Sequence, residues 1–293
     1  MNLFSISQLS QYSGIKPHTI RVWEQRYNAF KPERSEGNTR YYNNDQLRRL
    51  LNIVSLLESG HKVSELCSMP DDLLYALIIK TNKFPGNDAN EYFVSQMISA
   101  GISYDGDYFE ELFEKSFSKF GLLKTYKEII YPMLVRIGLM WSSNILPSAK
   151  EHFMSNIIRQ KIVRSIDSLP SVSSSADNWL LFLPENEFHE IGLLFANYII
   201  RDSGRKVIYL GNSVSQESIL TAIDETKPSH LLFFIVHYGL IENIKEYFDI
   251  LNDQFYGEKI YVGGNNKMLR QVKFPAKINW LQTIEDLEEA VRI

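Results

Sequence analysis

The sequence predicts a multidomain chain: a helical front segment with one short hairpin, then a bundle of helices, then an α/β region built on a parallel sheet. Three observations carry this. Apolar residues recur three and four apart from Ile6 to about residue 169, interrupted by the turn-rich stretch PERSEGNTRYY. From Asn178 the period changes, and the apolar runs NWLLFLP, KVIYLG, HLLFFIV and KIYVGG alternate with helical stretches. Between the two regimes, Pro170 and SVSSSAD form a polar linker over residues 170–177.

At the front, Ser5 with Gln8 three places on makes a capping box, Ile6, Leu9 and Tyr12 supply an inward stripe, and Gly14 stops the helix. Pro17 suits the first turn of a second helix. Its Ile20, Trp23 and Tyr27 face inward, leaving His18, Thr19, Arg21 and Arg26 outward. Gly37 and Asn38 predict a tight turn between two short arms bearing Arg34, Arg40 and Tyr41. NNDQLRRLLNIVSLLESG follows as a long helix with Leu47, Leu50, Leu51, Val54 and Leu57 on one apolar face, and a short helix pair closes the segment near residue 74. Residues 75–169 read as helix throughout and predict a bundle of four or five helices. Residues 178–293 predict a five-stranded parallel sheet of flavodoxin-like (Rossmann-like) type, its weak fifth strand at Ile278 to Leu281, with ligands expected at the carboxyl ends of the strands.

Charge is uneven. Residues 1–50 hold eight Lys/Arg against four Asp/Glu, and the remainder 23 against 31, so a basic end precedes an acidic body. That points to a polyanion partner for the first segment alone. The single cysteine, Cys67, excludes an intramolecular disulfide framework and a multi-thiolate metal site. No run has the roughly 18 apolar residues of a membrane span, and the N-terminus lacks a secretory pattern, so a cytoplasmic protein without membrane contact is expected.

TIRVWEQRY, then KPERSEGNTRYY, then the leucine-rich helix resemble, in that order, the winged helix-turn-helix of MerR-type transcription regulators. The resemblance covers about the first 70 residues and implies double-stranded operator DNA as partner. The second helix can lie in a major groove with His18, Thr19 and Arg21 as base-reading candidates, and Arg34 and Arg40 position the protein on phosphate. Arg26 and Tyr41 complete the expected surface. Asn38 stands where the wing of this family usually carries a second glycine.

Glu187-Phe188-His189-Glu190-Ile191-Gly192 resembles the Asp-x-His-x-x-Gly signature of cobalamin-binding domains, with glutamate replacing aspartate. Leu210-Gly211, read as the end of the second strand, and Val262-Gly263-Gly264, read as the end of the fourth, fall where that family has its later elements. The resemblance implies that His189 is the lower cobalt ligand and that the displaced nucleotide tail threads beside the sheet. Glu187 is placed to accept the second imidazole N–H, which fixes the tautomer. Gly192, Gly211, Gly263 and Gly264 are then expected to line the cofactor, with side chains removed where the tail passes. The family's Ser-x-Leu after the third strand has no clear counterpart in FFIVHYGL, where His237 is the available polar residue.

Trp141, nine further residues, then Glu151-His152 is similar to the Trp-x9-Glu-His signature of the cobalamin-dependent photoreceptor regulators of the CarH type. With Pro147 starting a new helix, the three residues are expected to converge over the upper cobalt face. Ser142 stands where the light-sensing relatives carry a histidine. The resemblance implies adenosylcobalamin, with methylcobalamin as the alternative, and a non-enzymatic, light-responsive repressor. It would hold DNA as a homo-oligomer, dimer or tetramer. Two other readings stay open: a cofactor-independent or protein-partner-sensing regulator of the same architecture, and a corrinoid methyltransferase component.

Overall fold

The computed structural model describes residues 3–35, 37–58, 60–80, 89–142, 147–172, 177–237, 244–264 and 266–292. The chain divides into two compact units, Met1–Ile157 and Ile158–Ile293.

In the first unit, α1 (Ile6–Ser13) begins with the capping box: the Gln8 N–H donates to Ser5 Oγ at 3.3 Å and the Ser5 N–H to Gln8 Oε1 at 2.7 Å. Gly14 ends it at φ 74°. Helix α2 (Pro17–Tyr27) starts on its proline. The hairpin pairs β1 (Glu33–Arg34) with β2 (Arg40–Tyr41), antiparallel. Asn38 adopts φ 58°, so it serves where glycine was expected, because asparagine tolerates the left-handed region better than other side chains. Helices α3 (Asn44–Glu58), α4 (Val63–Ser68) and α5 (Asp71–Lys80) follow.

Helix α3 buries more than the single face predicted. Ile53 and Leu56 are fully buried beside Leu47, Leu50, Leu51 and Val54, whereas Leu57 is half-buried. Asn52 and Ser55 are buried too, because α3 packs on α6 (Ala89–Ser103): Gln96 Nε2 donates to Ser55 Oγ at 2.6 Å and Asn52 Oδ1 at 3.3 Å. After α6 come α7 (Gly106–Thr125), broken at Gly121, a π turn (Tyr126–Ile130), α8 (Tyr131–Ser142) and α9 (Ser148–Asp167). Pro147 immediately precedes α9, as expected of a helix start.

The second unit alternates strand and helix: β3 (Asn178–Pro184), α10 (Ile191–Asp202), β4 (Lys206–Val214), α11 (Gln216–Thr226), β5 (His230–Ile235), α12 (Ile244–Gln254), β6 (Lys259–Gly264), α13 (Asn266–Leu269), β7 (Ile278–Trp280) and α14 (Ile284–Arg292). All five strands are parallel, in the order β4-β3-β5-β6-β7. The chain leaves β3 for one edge and returns to the other side of it, so a crevice opens between the carboxyl ends of β3 and β5, where α/β folds bind ligands. Alternate residues face two cores. Leu180, Phe182, Leu231, Phe233 and Phe248 fill one; Trp179, Leu181, Leu183, Leu232 and Leu287 fill the other, with Leu193 and Ala196 of α10.

One expectation is corrected. The second strand does not end at Gly211. It bulges there, with a register shift between Leu181 and Phe182 and φ 84° at Gly211, and runs on to Val214.

Candidate functional site at the strand ends

After Pro184 the chain turns back over the crevice. Ser213, on the extension of β4, steadies this turn: its N–H donates to the Glu187 carbonyl and its Oγ accepts from the Asn186 N–H, both at 3.1 Å. Glu187 is driven completely out of water, yet its carboxylate is satisfied. Oε1 accepts the N–H groups of Phe188 at 3.0 Å and His189 at 3.1 Å, and Oε2 accepts those of Val236 and His237, both at 2.8 Å, from the chain just after β5. It therefore ties together the two strand ends that bound the crevice. Burial alone would raise its pKa; the hydrogen bonds from the His189 ring and the N–H groups of His237, His189 and Val236 overcome this and hold it at about 2.

His189 Nδ1 meets Glu187 Oε1 at 2.5 Å. The ring is thus oriented by one edge, with 54% of the side chain exposed. Phe188, 64% exposed, and Val236, 36% exposed, add apolar surface at the two chain segments that Glu187 joins. A carboxylate-oriented imidazole on an apolar rim has the form of a metal-ligating histidine with its outer partner. Among the described residues no group of three or more His, Cys, Asp or Glu side chains is placed to hold a bare ion.

The next residue, Glu190, belongs to a second polar cluster that the sequence did not reveal. Its carboxylate accepts from the Tyr209 hydroxyl at 2.9 Å and the Asn212 amide at 3.4 Å, and pairs at 3.2 Å with Arg159, in the part of α9 that belongs to the second unit.

The four glycines divide. Gly211 is demanded by the β4 bulge. A Cβ on Gly264, at φ 124°, would collide with the carbonyl of Ile235, so glycine is required there by the approach of β5. Gly192 and Gly263 both face the partly buried ring of Phe234. A Cβ on Gly263 would stand 2.6 Å from a ring carbon of Phe234, and one on Gly192 3.9 Å from the same ring. For a cobalamin, then, the residues present fit the metal end at His189, while the Phe234 ring lies over Gly263, one of the glycines expected to leave room for the tail. His237 contributes its backbone N–H to Glu187; its side chain is exposed.

In the first unit, His18, Arg21 and Arg26 are exposed on α2 and Thr19 is half-buried. Arg26 lies 5.9 Å from the Tyr27 ring centroid. Arg34 is exposed on the wing and donates to Asn38 Oδ1 at 2.5 Å; Tyr41 is half-buried. Arg40 behaves differently. Its Nε donates to both carboxylate oxygens of Glu24, at 2.9 and 3.2 Å, and the buried Tyr42 hydroxyl donates to the same carboxylate at 2.8 Å. The hydrogen bond to Glu24 raises the pKa of Arg40, whereas burial first, and then that same carboxylate, raise that of Tyr42. Glu24 is therefore a strut between α2 and the wing, a role absent from the sequence reading.

Glu151 lies in the first turn of α9 and His152 directly follows it, His152 Nδ1 3.1 Å from Glu151 Oε2 with its side chain 70% exposed. Trp141 and Ser142 fall at the end of α8, and their side chains lie outside the described ones, so their expected convergence with Glu151 and His152 does too. No helix among the described residues is long and apolar enough to cross a membrane.

Comparison with known proteins bears on both units. Residues 4–67 match the family model described as "MerR HTH family regulatory protein", and residues 94–164 match that described as "B12 binding domain". The chain is 26% identical over 266 residues to the HTH-type transcriptional repressor CarH of Myxococcus xanthus, covering 89% of this chain and 88% of that one. It is 25% identical over 225 residues to the repressor CarA of the same organism, covering 76% and 73%. Among solved structures, the monomethylamine corrinoid protein of Methanosarcina barkeri superposes with a TM-score of 0.56 at 14% identity, over 69% of this chain and 98% of that one, which is a likeness of fold.

Proposed function

We propose that this chain, which joins a MerR-type helix-turn-helix segment to a B12-binding segment, is a cobalamin-dependent transcription regulator that represses by binding operator DNA. The observation that carries the reading is the Glu187–His189 pair at the crevice of the sheet: a buried, fully hydrogen-bonded carboxylate orienting a half-exposed imidazole. The resemblance to the two repressors supplies the class of output. His189 would take the lower face of the cobalt, Glu187 would fix its tautomer, and Phe188 with Val236 would offer apolar contact to a flat ring. For the opposite face we retain Trp141, Glu151 and His152. When bound, an alkylcobalamin supplies a cobalt–carbon bond that visible light cleaves.

The chain's own part is to couple cofactor state to DNA. We assign residues 1–74 to DNA reading, 75–169 to the helical cap, 170–177 to the linker and 178–293 to the cobalamin sheet, acting in the cytoplasm as a regulator and not an enzyme. Assembly into a homo-oligomer would raise operator affinity through avidity, so loss of assembly on illumination would release DNA. Mixing the purified chain with adenosylcobalamin or methylcobalamin, then recording visible spectra, oligomeric state and operator binding in darkness and after illumination, tests each step. A bound spectrum that changes on illumination together with loss of DNA is expected. Operator binding indifferent to both cofactor and light would instead favour the cofactor-independent reading.

A further inference from the structure

We propose that Phe234 makes this site discriminate against corrinoids that carry the lower nucleotide tail, so that it takes a tail-free corrinoid of the cobinamide class in preference to complete cobalamin. The inference rests on the reading of His189 as cobalt ligand.

Strand β5 directs Leu232 and Phe234 to the face covered by α10 and α14, and the register sets Phe234 directly beside Gly263 of β6. The ring lies over that glycine and extends toward Gly192, the second residue of α10. It packs on the apolar layer that contains Trp179, Leu181, Leu183 and Leu193. Phe234 is thus partly buried and packed against that core, and Gly263 is the position whose missing side chain accommodates its ring. Two residues further along the same strand end, the Val236 N–H holds Glu187, and Glu187 holds His189. The plug and the ligand holder therefore share one short length of chain.

The consequence is steric. A ligand that puts cobalt on His189 and sends a benzimidazole down the α10 side of the sheet must share the volume between Gly192 and Gly263 with a phenyl ring already packed there. Protein interiors do not hold two aromatic rings in the space of one, so Phe234 would have to leave its core contacts and turn toward water. A corrinoid that ends before the nucleotide makes no such demand. It needs only His189 and the apolar rim of Phe188 and Val236. A complete cobalamin can also avoid the clash by keeping its own base on cobalt, but it then gives up His189.

The test titrates full-length protein with aquocyanocobinamide and with hydroxocobalamin, following the visible absorption that reports the lower ligand. Wild type, Phe234→Ala, Phe234→Leu and His189→Ala are compared, with circular dichroism as the check on folding. Wild type is expected to bind the cobinamide at least about tenfold more tightly than hydroxocobalamin. Phe234→Ala should raise hydroxocobalamin affinity by about tenfold and bring histidine ligation of it, with little change for the cobinamide. Phe234→Leu, the milder core change, should fall between. An equal preference in wild type and both Phe234 variants, or a wild type that already prefers hydroxocobalamin through histidine ligation, overturns the proposal while leaving the cobalamin reading intact. If neither corrinoid binds any variant, or if His189→Ala leaves both spectra unchanged, the cobalt-ligand reading itself falls and this inference with it.

Discussion

Glu24 in the first unit and Glu187 in the second are both glutamates withdrawn from water that grip a nitrogen-bearing side chain, and they leave that side chain in opposite conditions. At Glu24 the interaction closes on itself: Arg40 is 24% exposed, the carboxylate 11%, and Tyr42 fills the remaining position. At Glu187 the backbone already satisfies the carboxylate through four N–H groups, and the histidine is added as a fifth contact by one edge of its ring. The acid at 24 consumes its partner and makes a strut. The acid at 187 is anchored independently of its partner, and so can present that partner to a ligand.

Substitution of Glu187 should cost the most. Replacing it by leucine removes the acceptor from four backbone N–H groups in a dry site, and we expect a loss of about 3–5 kcal/mol in urea unfolding. Glu187→Gln keeps one acceptor oxygen and should cost about 1–2 kcal/mol. A leucine variant as stable as wild type would mean that the loop does not depend on the carboxylate. Glu24→Ala comes next. It deprives Arg40 and the buried Tyr42 hydroxyl together and should cost about 2 kcal/mol, while Tyr42→Phe, losing one hydrogen bond, should cost about 1 kcal/mol. Both should weaken DNA binding on operator and random sequence alike, since the wing loses its support without losing a base contact.

His189→Ala reverses that pattern. Because Glu187 remains satisfied by backbone, stability should change by less than about 0.5 kcal/mol, as for an exposed side chain. Corrinoid affinity should fall by about 10-fold to 100-fold or more, a range set by what metal sites lose when even an outer partner is removed. Absorption titration beside thermal unfolding checks both halves. A variant that loses stability and keeps its ligand would make His189 a strut like Arg40.

What the sequence made legible was local. The Ser5–Gln8 box, Gly14, Pro17 and the strand starts are decided within a few residues, and all of them are found. The Glu187–His189 contact spans two positions and was readable for the same reason. Contacts that close over a distance were not: Glu24 reaches 16 and 18 residues to Arg40 and Tyr42, and Gln96 reaches 44 to Asn52. Phe234 was hidden differently. A central parallel strand is apolar on both faces, so HLLFFIV carries no alternation to say which phenylalanine faces which layer. Only the register beside Gly263 shows that Phe234, and not Phe233, occupies the space between the glycines.

The smallest expected effect separates the two wing arginines. Both were read as phosphate contacts, but only Arg34 presents an exposed guanidinium to solvent, its near partner being the uncharged Asn38 amide oxygen. Arg40 is already neutralised by Glu24, so it releases no counterion on meeting DNA. Salt dependence measures this directly, because each phosphate neutralised by a free cation adds nearly one to the slope of log affinity against log salt. Arg34→Ala should therefore flatten the slope by about one. Arg40→Ala should lower affinity at every salt concentration and leave the slope where it was, since what it removes is the wing's attachment and not a charge on phosphate. If both variants flatten the slope equally, Arg40 must let go of Glu24 when DNA arrives, and the strut would be a latch that phosphate opens.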